Sequence, residues 1–252
     1  MLENLFRLRE KETEEHWVSI SDVMAGLMVI FLFIAISYMV TINQTTDQIE
    51  DKFGDYRNLR ADLAAKLSSE FEGTQFKERQ FRSEWRGQLN DKTLSIYFKK
   101  PFTQGDATVP GTFKKVLSDF FPRYIDILTK PEFKDGIEEI RIEGHTSSEW
   151  NQEVLLEQIY FENMELSQNR ARNVLQYVLG INHSKVNQNK EWIKKNVTAN
   201  GLSSSKLILF PNGTENKAAS RRVEFRVITK SEKLIDEIQE LLKDFGSAEV
   251  TK

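Results

Sequence analysis

The chain has 252 residues, a formal net charge of −3 and no cysteine. This length leaves room for a membrane segment and one domain of roughly 150 residues. The slightly acidic balance argues against a nucleic-acid partner, because nucleic acids bind basic surfaces. Without cysteine there are no disulfides or thiolate metal sites, and the three histidines, His16, His145 and His183, lack metal-ligand spacing. The sequence therefore predicts no metal site and no bound cofactor.

A long apolar run follows the first sixteen residues. From Val18 to Val40 the only formal charge is that of Asp22. As a helix this run would be roughly 35 Å long, enough to cross a hydrocarbon core of about 30 Å. Residues 17–42 are therefore predicted to span a membrane. The run is too long for a cleavable signal peptide, and its upstream flank is acidic, so we expect it to remain as an anchor.

Asp22 has two interpretations. An ionisable residue inside a membrane helix is a candidate ion-carrying site, because a charge is costly to place in hydrocarbon. Ala25 and Gly26, three and four positions further on, would let another helix pack closely against this face. Alternatively, Asp22 caps a helix that begins at Val23 and lies at the level of the headgroups. Lysines and arginines are balanced on the two sides of the run, so charge alone does not predict its orientation.

Residues 43–92 are predicted to form a linker. From Gln44 to about Gly73, apolar residues recur every three or four positions, which indicates a helix with one apolar face. Such a helix fits either a short parallel coiled coil or a plug that lies on the bilayer surface and blocks a channel. Both alternatives stay open. Residues 73–90 mix charged and aromatic side chains and give no assignment.

The next part of the chain, residues 93–230, is predicted to be one α+β domain. Alternating apolar residues predict strands near 93–98, 137–145, 204–210 and 222–228. Apolar residues with the helical period predict helices at 112–128, 163–179 and 186–197. This order predicts a mixed sheet with helices on one face. A further helix, opening at Ser231, is predicted within residues 231–252.

Three motifs fall in these predicted elements. GHTS at 144–147 follows the second strand, N-x-x-L-S-x-x-R-A from Asn163 to Ala171 is placed at a helix start, and S-R-R-V-E at 220–224 opens the last strand. Together they resemble the OmpA-like peptidoglycan-binding domain, whose patterns are GHTD, NxxLSxxRA and NRRVE. The resemblance covers residues 93–230.

In that family the arginine of the helix motif and the aspartate of GHTD hold the charged end of diaminopimelate in the peptidoglycan stem peptide. The resemblance therefore implies that Arg170 forks onto a carboxylate. Ser147 stands where the family has aspartate, so the ammonium group of the ligand loses its countercharge. The peptidoglycan-binding residues implied by the resemblance are Thr146, Ser147, Asn163, Leu166, Arg170, Arg221 and Arg222. Alternatively, these arginines form surface ion pairs only, and Asn163 caps its helix.

A membrane helix with one acid, followed by an OmpA-like domain, is similar in layout to the stator B subunits of the flagellar motor. The stretch ISDVMAGLMVIFLFIAISYM more closely resembles the ZorB family of the Zorya anti-phage defence system, whose members pair with a ZorA partner. This resemblance implies two copies of the chain inside a five-subunit, multi-spanning partner, with H⁺ or Na⁺ carried at Asp22. It also implies an inner-membrane protein, with residues 1–16 cytoplasmic and the OmpA-like domain periplasmic.

Two other functions stay open on the sequence alone. One is a flagellar-type stator B subunit, and the other is a passive tether between membrane and peptidoglycan with no ion pathway. An enzyme is not predicted, because His145 and Thr146 have no neighbouring nucleophile and base arrangement.

Overall fold

The computed structural model describes residues 23–41, 43, 58–149 and 156–232. The chain divides into two compact units, one within residues 1–54 and one from residue 55 onward. In the first unit, helix α1 (Val23–Thr41) is long and apolar enough to cross a membrane, as the sequence predicts. Asp22, the predicted ion-carrying residue, lies outside the described residues.

The second unit is built on a mixed five-stranded sheet. Its strands are β1 (Gly87–Asn90), β2 (Ser95–Lys99), β3 (Ile137–His145), β4 (Val197–Gly201) and β5 (Arg222–Thr229). Their spatial order is β1-β2-β5-β3-β4, with β3 and β4 parallel and the other neighbours antiparallel. Three long helices accompany the sheet: α2 (58–72), α3 (Gly111–Leu128) and α4 (Leu156–Leu179). The shorter helices are Gln75–Glu78, the π-helical Arg79–Glu84, Pro131–Lys134, Ser184–Gln188, Lys190–Asn196 and Lys217–Ser220.

The core lies between the apolar face of the sheet and the helices. Ile142 of β3 and Phe225 of β5 are fully buried, whereas the polar residues that alternate with them point to the other face. The ring of Phe120 on α3 lies 5.0 Å from that of Phe98 and 5.1 Å from that of Phe225, measured between centroids. Such pairs contribute about 0.5–1.5 kcal/mol each beyond their area. This architecture is the α+β sheet with helices on one face that the sequence predicts.

The sequence predicts that the folded domain starts at residue 93, but in the structure the domain begins upstream of that residue. Leu63, Leu67 and Phe71 of α2 are buried in the same core, and β1 pairs with β2. The apolar stripe assigned to a coiled coil or a plug therefore packs on the domain over its described part. A one-faced helix buries its stripe against any apolar surface, so periodicity alone could not identify the partner.

The prediction of a strand at 204–210 is wrong. The strand that pairs with β3 is β4, which precedes residues 204–210 in the chain. Leu209 and Phe210 are about half exposed, and Leu209 makes an isolated bridge to Glu215. β4 has the sequence VTANG, which lacks the apolar alternation of a typical strand. The predicted helix at 186–197 is divided into two short helices. The predicted C-terminal helix lies mostly outside the described residues.

Candidate functional site

The motifs converge at one end of the sheet. β3 ends at His145 and β5 begins at Arg222, and these two residues are direct partners in the antiparallel ladder. The loop that follows β2 crosses the same end and accepts hydrogen bonds from Arg170 on α4. A cavity of about 210 Å³ opens here, and it is lined by Lys100, Pro101, Phe102, Gln104, His145, Arg170, Arg221 and Arg222.

Arg170 is held rigidly in the wall of this cavity. Its Nε donates to the backbone oxygen of Asp106 and its Nη2 to that of Thr103, each at 2.8 Å. The guanidinium also lies over the ring of Phe102, 5.1 Å from the centroid. Burial lowers the pKa of Arg170 to about 10, the charge of Asp106 opposes this shift, and the charge of Arg221 adds to it. Arg170 therefore stays protonated at neutral pH and carries its positive charge in a side chain that is only 5% exposed.

Two further arginines border the cavity and have acidic partners. Nη1 of Arg221 lies 3.2 Å from a carboxylate oxygen of Glu149, which also accepts from Lys217. Nε of Arg222 donates to Glu224 at 3.1 Å. These carboxylates neutralise part of the charge of Arg221 and Arg222, so Arg170 is the least compensated of the three guanidinium groups.

The other residues implied by the resemblance are not among the lining residues of the cavity. Thr146 and Ser147 are buried, and the backbone N–H of Thr146 donates to the backbone oxygen of Ser203 at 2.9 Å. Asn163 is buried and Leu166 is half-buried on α4. The structure thus brings together Arg170, Arg221 and Arg222 of the predicted set.

The helix motif is not at a helix start, which corrects the sequence-based placement. α4 begins at Leu156, two turns before Asn163, so Asn163 does not cap the helix. The sequence-based boundary at Asn163 followed from the motif and from the inward apolar residues that begin at Leu166. The motif instead fixes the distance between α4 and β3: a Cβ on Gly144 would lie 2.2 Å from the backbone oxygen of Ser167. Glycine is therefore required for this close approach, which positions Arg170 one turn further along the helix.

The sequence reasoning missed a buried cluster of Glu143, His145 and Glu224. Candidate ligand atoms of these three side chains lie within 4.8 Å of one another. Burial would raise the pKa of Glu143, but His145 together with the charges of Arg226 and Arg141 outweighs burial, so the pKa lies below its ordinary value. The prediction of no metal site considered only the spacing between histidines. The sequence does contain a signal for this cluster. Glu143 and His145 are two positions apart on a strand, so their side chains share a face.

The chain is similar to two proteins from Escherichia coli, each called Zorya protein ZorB. One is 39% identical over 233 residues, which cover 91% of this chain and 94% of that protein. The other is 24% identical over 237 residues, which cover 90% and 87%. Among solved structures, a MotB-like protein from Desulfovibrio vulgaris has a TM-score of 0.43 and 20% identity, covering 72% of this chain and 98% of that one. No protein-family model matches. Because the 39% identity extends over most of both chains, this chain belongs to the ZorB family of Zorya proteins.

Proposed function

We propose that this chain is the stator-type subunit of an inner-membrane motor complex that acts in anti-phage defence. In this proposal the domain anchors the complex to peptidoglycan, and Asp22 carries ions inside a multi-spanning, ZorA-like partner. Membership of the ZorB family supports the defence role. The observation that carries the anchoring role is Arg170, a buried cation that opens into a cavity bordered by further cations.

The hydrogen bonds of Arg170 suit the capture of a carboxylate. Its two backbone acceptors, the carbonyl oxygens of Thr103 and Asp106, are neutral and use two of its five N–H groups. The other three make no hydrogen bond to the described residues. A guanidinium that is already fixed in place loses little conformational freedom when a ligand binds. Paired hydrogen bonds to a carboxylate are also stronger than bonds between neutral groups.

The cavity matches one end of a small charged group. Its volume of about 210 Å³ leaves room for a small charged group. Its eight lining residues include three arginines and one lysine, and none of them is acidic. We therefore expect it to bind the free carboxylate of diaminopimelate in the stem peptide of peptidoglycan.

The membrane helix supplies the ion pathway in this proposal. Ala25 and Gly26 lie three and four positions after Asp22, and a Cβ on Gly26 would meet no atom within 4 Å among the described residues, apart from the backbone of its own helix. A small, open face of this kind allows close packing against helices of a partner. Two copies of the chain, enclosed by a five-subunit partner, would place their Asp22 side chains against that partner.

Ion transfer at Asp22 would drive rotation. Each Asp22 takes a proton or a sodium ion from the periplasmic side and releases it toward the cytoplasm. Neutralising the carboxylate changes its preferred contacts with the partner, and this change biases the position of one component relative to the other. One unit of charge that crosses 100 mV supplies roughly 2.3 kcal/mol for each step. The wall-bound domain holds the pair still while the partner turns.

The anchoring role is tested by binding of the full chain in detergent to purified sacculi. Arg170→Ala should weaken binding by at least about tenfold, since the loss of charge-assisted hydrogen bonds costs about 1.5–3 kcal/mol. Arg172→Ala is the matched control, because it removes the same charge from the exposed face of the same helix. Equal binding by the wild type and both variants would remove the anchoring role.

The ion pathway is tested separately by co-expression with the ZorA-like partner and reconstitution into vesicles. Asp22→Asn should abolish ion flux while the complex still co-purifies. Persistent flux in this variant would refute the assignment of Asp22. A passive tether would instead show no flux and no multi-spanning partner, and a flagellar stator would be revealed by loss of motility when the chain is removed.

A further inference from the structure

We propose that Glu143, His145 and Glu224 form a binding site for a divalent transition-metal ion, and that Zn²⁺ fits it best. Glu143 and Glu224 are direct partners across β3 and β5, and His145 follows two positions later on the same face of β3. The exposed fraction of the side chain is 8% for Glu143, 13% for Glu224 and 2% for His145. Two carboxylates opposite each other on neighbouring strands repel, and Arg222 pairs directly only with Glu224, so a cation between the two carboxylates would stabilise the cluster.

The two distances from His145 match the edges of a coordination tetrahedron, and all three ligand atoms lie within 4.8 Å of one another. Nε2 of His145 lies 3.4 Å from Oε2 of Glu143 and 3.5 Å from Oε2 of Glu224. A zinc ion with ligands at about 2.0–2.2 Å in tetrahedral geometry separates its ligand atoms by roughly 3.3–3.6 Å. Hydrogen bonds from nitrogen to oxygen are shorter, at about 2.7–3.2 Å.

An ion triad with protonated His145 explains this arrangement less well. An imidazolium donates from both of its nitrogens, so two carboxylates would be expected at opposite edges of the ring. Here both carboxylates approach the same nitrogen, Nε2. Neither ring nitrogen has a hydrogen-bond partner in the described part of the chain, although His145 is almost fully buried. Two carboxylates gathered around one unpartnered imidazole nitrogen are an arrangement that suits a metal ion.

The set of donors selects the type of ion. One imidazole nitrogen with two carboxylates suits zinc and its neighbours in the periodic table, whereas calcium takes six to eight oxygen ligands and magnesium retains several waters. Arg222 donates to the same oxygen of Glu224 at 3.1 Å and would orient this ligand. The negative charge of the two glutamates, partly offset by Arg222, attracts a divalent ion. A water molecule would complete four-coordination.

The experiment measures metal binding by the tag-free full chain in detergent after removal of metal with a chelator. Equilibrium dialysis against Zn²⁺ should give one tightly bound ion per chain. His145→Asn, Glu143→Gln and Glu224→Gln should each weaken binding by at least about 100-fold, because each removes a ligand. The controls are His183→Asn and Glu139→Gln, which change an exposed histidine and another carboxylate of β3 and should bind as the wild type does.

X-ray absorption by the zinc-loaded wild type keeps the test independent of variant folding. We expect one imidazole per zinc and a shell of nitrogen and oxygen at about 2.0–2.1 Å. Absence of stoichiometric binding would overturn the proposal. So would binding that survives in both glutamate variants, or a spectrum with two imidazoles, since the cluster contains a single histidine.

Discussion

The close contact between Gly144 and Ser167 makes a test of how α4 is positioned. In Gly144→Ala the added Cβ would lie 2.2 Å from the backbone oxygen of Ser167. Ordinary contacts between carbon and oxygen begin near 3.3 Å, so α4 has to move away from β3 by about 1 Å. The atom in the way belongs to the backbone, and no rotation of a side chain can relieve the clash.

The expected loss of stability follows from this displacement. Overpacking a filled interior lowers the free energy of unfolding by about 1–3 kcal/mol. Replacing glycine by alanine raises it by about 0.4–1 kcal/mol, because the unfolded chain has less conformational freedom. For a domain of this size each kcal/mol changes the midpoint temperature by roughly 2–4 °C. We expect Gly144→Ala to lower the midpoint by up to about 10 °C. Movement of α4 should also stretch the two hydrogen bonds of Arg170 and so weaken binding to sacculi.

Thermal unfolding followed by circular dichroism measures the effect, with Gly111→Ala as the matched control. Gly111 opens α3, and a Cβ there would meet nothing within 4 Å. The same substitution at this position should leave the midpoint unchanged or raise it by a few degrees. If both variants unfold at the temperature of the wild type, the close packing of α4 on β3 does not hold and neither does its role in placing Arg170.

Two predictions concern α2. Leu67→Ala should lower the free energy of unfolding by about 2–5 kcal/mol, independently of protein concentration, because Leu67 is fully buried in the core of its own domain. Lys66→Ala is the exposed control. A loss of stability that depends on protein concentration would indicate a coiled-coil seam instead. Burial opposes a low pKa of Glu70, but hydrogen bonds from Arg123, at 2.7 Å, and Lys77 outweigh it and hold the pKa below 4.5. The wild type should therefore have a higher free energy of unfolding than Glu70→Gln, with the full difference above pH 4.5 and none once the pH falls below the lowered pKa. A difference that persists in acid would contradict this prediction.

The elements that sequence predicts correctly are those with strong periodicity. β3 carries alternating isoleucines and α3 carries a wide apolar face, and both lie close to where the pattern places them. β1 and β4 were missed because they are short edge strands with few apolar residues, whose pairing is decided by the neighbouring strand rather than by their own pattern. Residues 204–210 show the opposite error: their apolar pattern predicts a strand, but the structure has none there and the apolar side chains of Leu209 and Phe210 are partly exposed.

The same division applies to the candidate site. The resemblance identified Arg170, Arg221 and Arg222, which share one cavity, because two motifs mark the ends of strands that meet and the helix motif packs α4 against β3. It gave no information about Phe102 or the carbonyl oxygens of Thr103 and Asp106, which fix the guanidinium. These contacts come from a loop more than 60 positions away in the sequence, and main-chain acceptors leave no trace in residue type.

The charge of the cavity determines which end of a ligand it can hold. Ser147, in the position of the family aspartate, is buried and is not a lining residue, and the eight lining residues include no acid. An ammonium group placed in this cavity would therefore meet only cations and neutral groups, which is unfavourable in a partly buried site. A carboxylate, in contrast, would face Arg170, which donates to two neutral backbone oxygens and is attracted by the exposed carboxylate of Asp106. In the proposed function, we therefore expect the carboxylate end of the stem peptide to supply most of the binding energy and the ammonium end to contribute little.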